Sequence, residues 1–375
     1  MAVHYHVGKF PPKNLAWEVL AGPLAKASDA IARYDSFLGL IPDPALLIGP
    51  LMVQEAVTSS RIEGTQATVE DVLVYEAGKD ETDPSKRNDI QEVVNYQNAV
   101  REGERLLDEL PISGRLLRAV HKVLLDGVRG QFRSPGLYRD DQNWIGFNQN
   151  IDEARYVPLS PNDVEEAMHR WERYVNEDSS PALIKVAVAH AEFESIHPFK
   201  DGNGRVGRIV VPLMMHSEGL ISDPCFYLSE FFEHRNSEYQ DRLLAVSADD
   251  AWTEWCVFFL EAIATQAIEN NEKAKQIFQL HEDTRAILLQ ETGSKSVDHI
   301  IKRLFKSPIF SAKQITETPG VGKKTAQRML NEMKRLNIIR EIIPHSGQRA
   351  AILLFPKLFE ITESVKVTKD VPQTN

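Results

Sequence analysis

Cysteine and long apolar runs are both scarce in this chain of 375 residues. Only Cys225 and Cys256 occur, and they form no metal-binding spacing, so neither a disulfide framework nor a structural zinc site is expected. No uninterrupted apolar run approaches the length that spans a membrane, and residues 1–14 lack the charged-then-apolar pattern of a secretory leader. We therefore expect a protein of the reducing cytoplasm without a membrane partner.

Internal repeats and low-complexity tracts are also absent, and positive charge is concentrated in one region. The chain has a net charge of −11, but residues 295–349 carry twelve Lys or Arg against four Asp or Glu, which gives +8 there and −19 elsewhere. The length fits two or three domains. The charge asymmetry indicates a separate C-terminal module with its own kind of partner.

Helical periodicity dominates the chain and predicts a mainly α fold. Apolar residues recur at helical spacing in ten segments, at 15–40, 45–62, 68–75, 89–110, 111–128, 162–174, 181–196, 208–219, 229–246 and 250–290. One β-hairpin is expected over 140–158, where strand-prone residues flank Asn148-Gln149-Asn150. The C-terminal region predicts three helices and then two strands, the order typical of a winged helix-turn-helix domain: 297–305, 311–318, 323–336, 338–343 and 350–355.

Residues 197–208, with the sequence HPFKDGNGRVGR, concentrate the polar chemistry of the chain. They separate two apolar runs, and because Asp, Asn and Gly favour turns, they predict a tight loop between two helices. Backbone N–H groups at a helix N-terminus bind anions, and Arg205 and Arg208 add planar charged groups suited to phosphate. His197 would be a base that titrates near neutral pH. The stretch predicts a phosphate-binding loop beside a general base.

The pattern His-Pro-Phe-x-Asp-Gly-Asn-Gly-Arg-x-x-Arg resembles the signature of the Fic family, whose members mostly transfer AMP from ATP to protein hydroxyl groups. The resemblance implies a Fic-type helical core, ATP as substrate and Mg²⁺ held by Asp201. It also implies that His197 deprotonates the attacking Ser, Thr or Tyr hydroxyl and that Arg208 binds the γ-phosphate. The remaining nucleotide contacts are expected from the loop residues Gly202, Asn203, Gly204, Arg205, Val206 and Gly207.

Two other interpretations of this stretch need comparison. Gly202-x-Gly204-x-x-Gly207 also matches a dinucleotide-binding fingerprint, with Asp223 where a ribose-binding acid would fall. That motif requires a strand before the loop, whereas residues 182–196 favour a helix and no β–α alternation surrounds them. Taken singly, the histidine could be structural, the glycines a plain turn and the arginines a solvated face. The complete set favours nucleotide chemistry.

Ser59-x-x-x-Glu63-Gly64 resembles the inhibitory motif of Fic proteins in the class whose inhibitory helix precedes the core. The resemblance implies that Ser59 and Glu63 are inhibitory and that the Glu63 carboxylate pairs with Arg208, which withdraws the arginine from the γ-phosphate. Alone, a Glu followed by a Gly is a common helix end. A second role, in which Glu63 positions water to remove AMP from a modified target, stays open.

The hairpin 140–158 resembles the flap with which family members hold an extended segment of the target protein by main-chain pairing; a surface hairpin without function is the alternative. Tyr239 falls where family members often place an aromatic ring at the adenine.

In the C-terminal module, Lys323, Lys324 and Arg328 open the strongest helix. Such a helix suits DNA binding, but also protein contacts or formation of a homodimer.

These observations divide the chain into an N-terminal helical region with the inhibitory helix (1–95), a Fic catalytic core (96–285), a winged helix domain (286–366) and a frayed tail (367–375). The leading hypothesis is an autoinhibited protein adenylyltransferase that modifies other proteins and itself. The alternative from another class is a nucleotide-sensing, DNA-binding transcriptional regulator. Transfer of UMP or phosphocholine also stays open, because the motif specifies phosphate chemistry and not the group transferred.

Overall fold

The structure is a computed structural model that describes residues 2–41, 43–146, 150–347 and 349–363, without the side chains of residues 45–48. The predicted frayed tail 367–375 and the tip of the predicted hairpin, 147–149, lie outside the described residues. The predicted mainly α fold is confirmed. The helices, in chain order, are α1 (Trp17–Gly39), α2 (Ala45–Ile62), α3 (Val69–Glu76), α4 (Pro84–Leu107), α5 (Gly114–Leu124), α6 (Val164–Glu177), α7 (Ala182–Ile196), α8 (Asn203–Ser217), α9 (Ser229–His234), α10 (Asn236–Asp249), α11 (Trp252–Thr292), α12 (Val297–Leu304), α13 (Ala312–Thr316), α14 (Lys323–Arg335) and α15 (Pro356–Glu363).

Strands are short and few in the described part of the chain. They are β1 (Val3–His4), β2 (Tyr156–Val157), β3 (Ile309–Ser311), β4 (Arg340–Ile343) and β5 (Ile352–Leu354). The chain forms two compact units, one of residues 1–42, 55–68 and 81–270, the other of residues 43–54, 69–80 and 271–375. Among the described helices, none is both long enough and apolar enough to cross a bilayer. The domain boundaries proposed at residues 95 and 285 stay predictions.

Helix α7 is central to the first unit. Nearly all of its side chains are buried, which explains why its sequence has so few polar positions. It packs against α1, α6, α8 and α10, while α4 and α5 pack against each other and against α8. The loop between α7 and α8 is therefore held between two well-packed helices, and this loop contains residues 197–202 of the motif.

Among the described residues, the hairpin predicted over 140–158 is represented by a single antiparallel bridge between Ile145 and Tyr156. Strand β2 also pairs in parallel with β1, so that Val3 lies opposite Tyr156. Sequence patterns could not indicate this second pairing, because β1 is only two residues long and lies far from β2 in the chain. The N-terminal segment thus supports the segment that was predicted to be the flap.

Two helix boundaries in the first unit differ from the predictions. Helix α8 begins at Asn203 and not at Arg208, because Gly202 adopts a φ of 77° and so turns the chain directly into the helix. The single helix predicted over 229–246 is two helices, α9 and α10, because Arg235 has a non-helical φ of −116° and ψ of 34°. The early start of α8 directs its first N–H groups towards the loop.

The second unit contains α12, α13 and α14, followed by β4 and β5 in the predicted order. The apolar face predicted for α14 is confirmed as buried: Ala326, Met329, Leu330 and Met333. Strand β3 and helix α15 were not predicted. Strand β5 lies between β3 and β4, antiparallel to both. The assignment of this unit as a winged helix domain stays a prediction.

Candidate active site

His197 ends α7 in the left-handed conformation, with a φ of 52°. A non-glycine residue rarely adopts this conformation unless its surroundings hold it there. Its backbone N–H donates to the carbonyl of Phe193, and its carbonyl accepts from Nε of Arg139 at 2.9 Å. The strained residue therefore lies at the point where α7 stops and the motif loop begins.

Arg139 is the buried side chain that fixes this turn. Besides the His197 carbonyl, its guanidinium donates to the carbonyls of Ile196, Asp141 and Leu159. Burial lowers the pKa of Arg139 to about 10, a value at which it is still charged at neutral pH. The Arg139 guanidinium thus connects the end of α7 with Asp141 and Leu159, which lie close to the two ends of the segment 140–158.

His121 and Asn203 shape the loop itself. The His121 ring stacks on Phe199 with ring centroids 3.8 Å apart. Its Nδ1 accepts from the backbone N–H of Gly136, so Nε2 carries the proton and donates to the carbonyl of Asp201 at 3.0 Å. Burial lowers the pKa of His121 to about 4, which keeps the ring neutral. The Asn203 amide bonds both backbone groups of Phe199, at 2.8 Å each.

A cavity of about 400 Å³ opens beside this loop. Its polar wall includes His197, Gly204, Arg208, Glu63 and Glu194. Its remaining wall comes from the segment predicted to be the flap and from α10, and it is partly apolar: Trp144, Ile145, Gly146, Arg155, Tyr156, Tyr239, Gln240, Leu243 and Leu244. This combination of apolar surface with a few convergent polar groups is typical of small-molecule sites.

Arg208 and Glu63 form an ion pair at the cavity wall. One terminal nitrogen of Arg208 donates to Oε1 of Glu63 at 2.7 Å and to the carbonyl of Ser59 at 2.9 Å, and its Nε donates to the Ser59 hydroxyl at 2.8 Å. Burial favours a higher pKa for Glu63, but the charge and hydrogen bond of Arg208 outweigh it and lower this pKa. Conversely, Glu63 raises the pKa of Arg208 against the effect of burial. Both groups are therefore ionised at neutral pH.

The His197 side chain lines the cavity and stays neutral at physiological pH. Burial lowers its pKa to about 4, although the nearby carboxylate of Glu63 works in the opposite direction. Its Nδ1 lies 3.4 Å from the carbonyl of Glu194. If Nδ1 carries the proton, Nε2 is free to accept one, as a general base must.

Other predicted nucleotide-binding residues are divided between the cavity and the core. Gly204 lines the cavity, and a Cβ on it would lie 2.3 Å from Oε1 of Glu63. Asn203 and Gly204 begin α8, where the first backbone N–H groups have no partner within the helix. The other predicted loop residues are not among the lining residues: Asp201, Gly202, Asn203, Arg205, Val206 and Gly207. The buried Arg205 instead faces Glu92 and Asp201, at 3.4 Å from each.

Asp201 and Tyr239 also have defined surroundings. Asp201 accepts from the backbone N–H of Gly202, and its side chain remains 39% exposed. Within the described residues, no three His, Cys, Asp or Glu side chains form a metal-binding group. The Tyr239 ring stacks on Phe232, its hydroxyl lies 2.9 Å from Nε2 of His190, and the side chain lines the cavity.

Comparison with known proteins identifies two regions of the chain. Residues 22–105 match the model of the Fic/DOC family N-terminal region, and residues 111–215 match the model of the Fic/DOC family. A curated relative from Drosophila persimilis, a protein adenylyltransferase Fic, is 31% identical over 120 residues, which are 30% of this chain and 21% of the relative. The Drosophila melanogaster protein of the same name is 29% identical over the same length. The chain thus matches about a fifth of the length of these relatives.

Solved structures show the same fold. A Fic family protein from Desulfovibrio desulfuricans superposes with a TM-score of 0.58 over 92% of this chain and 98% of its own, at 20% identity. Fic-1 from C. elegans gives a TM-score of 0.55 over 70% of this chain and 74% of its own, at 21% identity. At these identities the likeness concerns the fold alone.

Proposed function

The chain belongs to the Fic/DOC family, and from this premise we propose that it is a protein adenylyltransferase. It transfers AMP from ATP to Ser, Thr or Tyr hydroxyls of proteins, including its own. The observation that carries this proposal is that one cavity is lined by a neutral imidazole, a helix N-terminus and a buried arginine: His197, Gly204 and Arg208. These are the groups that a base, a phosphate cradle and a phosphate clamp require.

In the proposed reaction, His197 takes the proton from the target hydroxyl as its oxygen attacks the α-phosphorus of ATP. A bond forms between that oxygen and the α-phosphorus, the bond from the α-phosphorus to the bridging oxygen breaks, and pyrophosphate leaves. Because the pKa of His197 is about 4 in the structure, the imidazole is in its proton-accepting form at physiological pH. The N–H groups at the start of α8 and the Arg208 guanidinium orient the phosphates.

We propose that Asp201 in the motif loop would hold a magnesium ion. Mg²⁺ commonly uses one or two carboxylates together with substrate phosphates and water, and the partly exposed carboxylate of Asp201 at the motif loop is such a ligand. When bound, the ion neutralises phosphate charge. Around it, His121 and Gly202 hold Asp201 by hydrogen bonds to its carbonyl and side chain.

We propose that the ion pair between Glu63 and Arg208 restrains this activity. Arg208 cannot present the same terminal nitrogen to a γ-phosphate while it donates to Glu63 and Ser59. ATP bound against this arrangement would have a displaced α-phosphate, and a displacement of about 1 Å can cost about 10²-fold in rate. The brake is released when Glu63 leaves Arg208.

The segment 140–158 is proposed to hold the target protein. Residues 144–146 line the cavity, and Ile145 pairs by backbone hydrogen bonds with Tyr156. Arg155 anchors this segment through hydrogen bonds to Gln240 and Asp241 on α10. An extended target segment could pair with the main chain of this segment beside the cavity, which would bring its hydroxyl towards His197.

Mass spectrometry tests the transferred group directly. The purified chain with Glu63→Gly is incubated with Mg²⁺ and, separately, with ATP, UTP or CDP-choline. We expect a mass increase of one AMP with ATP and none with the other two. Addition of UMP or phosphocholine would replace adenylyl transfer with another Fic-type reaction. Binding of ATP with no covalent addition to the chain or to proteins of a cell extract would favour the nucleotide-sensing regulator.

A second function, DNA binding, is supported by the charges of α14. Lys323, Lys324 and Arg328 lie on its exposed face, and none of them forms an ion pair with a described residue. In contrast, Lys334 pairs with Glu341 and Arg335 with Glu332 at the other end of the helix. These cations line one groove with the amides of Gln327 and Asn331 and with Glu332, whose carboxylate pairs with Arg335. Free cations bind phosphates and amides bind base edges, so we propose that this face binds duplex DNA.

A further inference from the structure

Glu194 is a carboxyl group at the cavity to which neither the sequence motif nor the proposed reaction gives a role. It lies on α7, three residues before His197, and its side chain lines the cavity. Its Oε1 is buried and has no hydrogen-bond partner among the described residues. A buried polar atom without a partner costs free energy, so no hydrogen bond at Oε1 within the described residues holds this carboxyl group in the cavity wall.

The neighbouring helix leaves room for this carboxyl group at a single glycine. A Cβ at position 207 would lie 2.3 Å from Oε1 of Glu194 and 3.2 Å from the ring of Phe193. Because no Cβ contact in a real protein is as short as the first distance, any larger residue at position 207 would displace the carboxyl group. Oε1 of Glu194 therefore packs against Gly207 on α8, and a larger residue there would shift the flexible end of the Glu194 side chain.

The charged and titratable groups around Glu194 leave it neutral. Burial raises its pKa to about 8, Arg208 on α8 lowers it, and Glu63 raises it further. Tyr239 on α10 and His197 after α7 also line the cavity, and neither carries a charge at neutral pH because burial raises the pKa of Tyr239 and lowers that of His197. At neutral pH, Glu194 is thus a carboxylic acid with an O–H donor, and its Oε1 has no hydrogen-bond partner among the described residues.

We propose that Glu194 contacts the bound nucleotide directly and donates its O–H to a polar acceptor of that nucleotide. This inference rests on the proposed function, since it assumes that the cavity binds ATP. The polyphosphate is strongly anionic, and the cavity already holds the ionised carboxylate of Glu63. A second ionised carboxylate would repel the ligand, whereas a neutral acid adds a hydrogen bond without adding negative charge.

Calorimetric titration of ATP with Mg²⁺ into the chain with His197→Ala tests this inference, because that background prevents transfer and reports binding alone. Glu194→Gln keeps the shape, the neutrality and an N–H donor, so its affinity should stay within about threefold of the parent. Glu194→Leu removes the donor at similar size and should weaken binding about tenfold, the effect of one hydrogen bond of about 1.4 kcal/mol.

The pH dependence separates ligand contact from a structural role. In the parent, ATP affinity should fall as pH rises through about 8, because ionisation removes the donor and adds a negative charge. Glu194→Gln should abolish that fall. Equal affinity of the Gln and Leu variants, or a parent affinity that is constant between pH 7 and 9, would overturn the inference. A parent that binds no ATP would overturn the proposed function as well, so the two failures are distinguishable.

Discussion

Glu63 and Arg208 form a 2.7 Å ion pair although they are 145 positions apart in the chain. The Arg208 side chain is 2% exposed and that of Glu63 is 36% exposed, so the pair is open to solvent from the carboxylate side. Removing Glu63 would take one hydrogen-bond acceptor from Arg208 and leave its bonds to Ser59. In the proposed function, a phosphate of ATP would then take the place of the Glu63 carboxylate, so that the pair would act as a switch between two anionic partners of one arginine.

Ser59→Ala should release Arg208 in part. The substitution removes the acceptor of the Arg208 Nε, and a buried donor left without a partner costs about 1–3 kcal/mol. We expect a lower melting temperature and a rise in self-modification that is smaller than the rise on removing Glu63. The matched control is Ser60→Ala, since the buried Ser60 hydroxyl has no partner among the described residues, so its removal should neither lower the melting temperature nor change self-modification.

Arg139→Lys should impair catalysis more than nucleotide binding. Lysine keeps the charge but cannot donate simultaneously to the four carbonyls that Arg139 bonds, so His197 would lose its fixed position. We predict that kcat for AMP transfer falls about 10- to 100-fold, because small displacements of a reacting group have effects of that size. The affinity for ATP should stay within threefold. Arg170→Lys, at an exposed ion pair, is the control.

His190 should make the fold sensitive to acid. Burial lowers its pKa from 6.5 to about 3, so between these values the unfolded chain binds a proton that the folded chain does not. The free energy of unfolding should therefore fall as pH decreases through this window, by at most about 1.4 kcal/mol per pH unit from this residue. Urea unfolding of wild type and His190→Gln between pH 7 and 4 measures this difference. Parallel stability profiles for the two proteins would contradict the prediction.

Local sequence patterns predicted the helices that bury an apolar face. The bounds of α2 are as predicted, and those of α7 differ by one residue. Both segments combine apolar residues with a residue that ends a helix. That residue is Gly64 after α2 and Pro198, which follows His197, after α7. Helix α8 starts at Asn203 and not at the predicted residue 208. Gly and Asn disfavour the interior of a helix, but the first helical turn tolerates them.

The residues that support the site were not predictable from local patterns. His121, Arg139 and Glu194 belong to no motif that the sequence analysis considered, and their roles depend on contacts with distant segments. Charged residues in a largely buried helix are a local signal of this kind, but α7 contains Lys185, Glu192 and Glu194, so the signal does not single out Glu194. The motif resemblance predicted that His197 and Arg208 belong to one site, and both line the cavity. A family signature specifies residues that meet in the folded protein, whereas periodicity specifies only which face of a helix is apolar.

Substitutions on α14 should separate DNA binding from catalysis. Lys323→Gln, Lys324→Gln and Arg328→Gln together remove three unpaired cations, so the slope of log affinity for duplex DNA against log salt should decrease by about 3. The control is Lys302→Gln with Lys334→Gln, since both lysines are ion-paired with Asp43 and Glu341. Fluorescence anisotropy with labelled duplex DNA reports both. Absence of binding by wild type at low salt would exclude DNA as the partner of this face.

Transfer of label from α-³²P-ATP to protein, compared between wild type and Glu63→Gly, tests the central claim most directly. The account predicts that Glu63→Gly raises self-modification about 10- to 100-fold, because Arg208 becomes available to the γ-phosphate and the α-phosphate aligns for attack. Adding His197→Ala to Glu63→Gly should return labelling to background. Equal labelling of wild type and Glu63→Gly, or strong labelling that survives the loss of His197, would contradict the account.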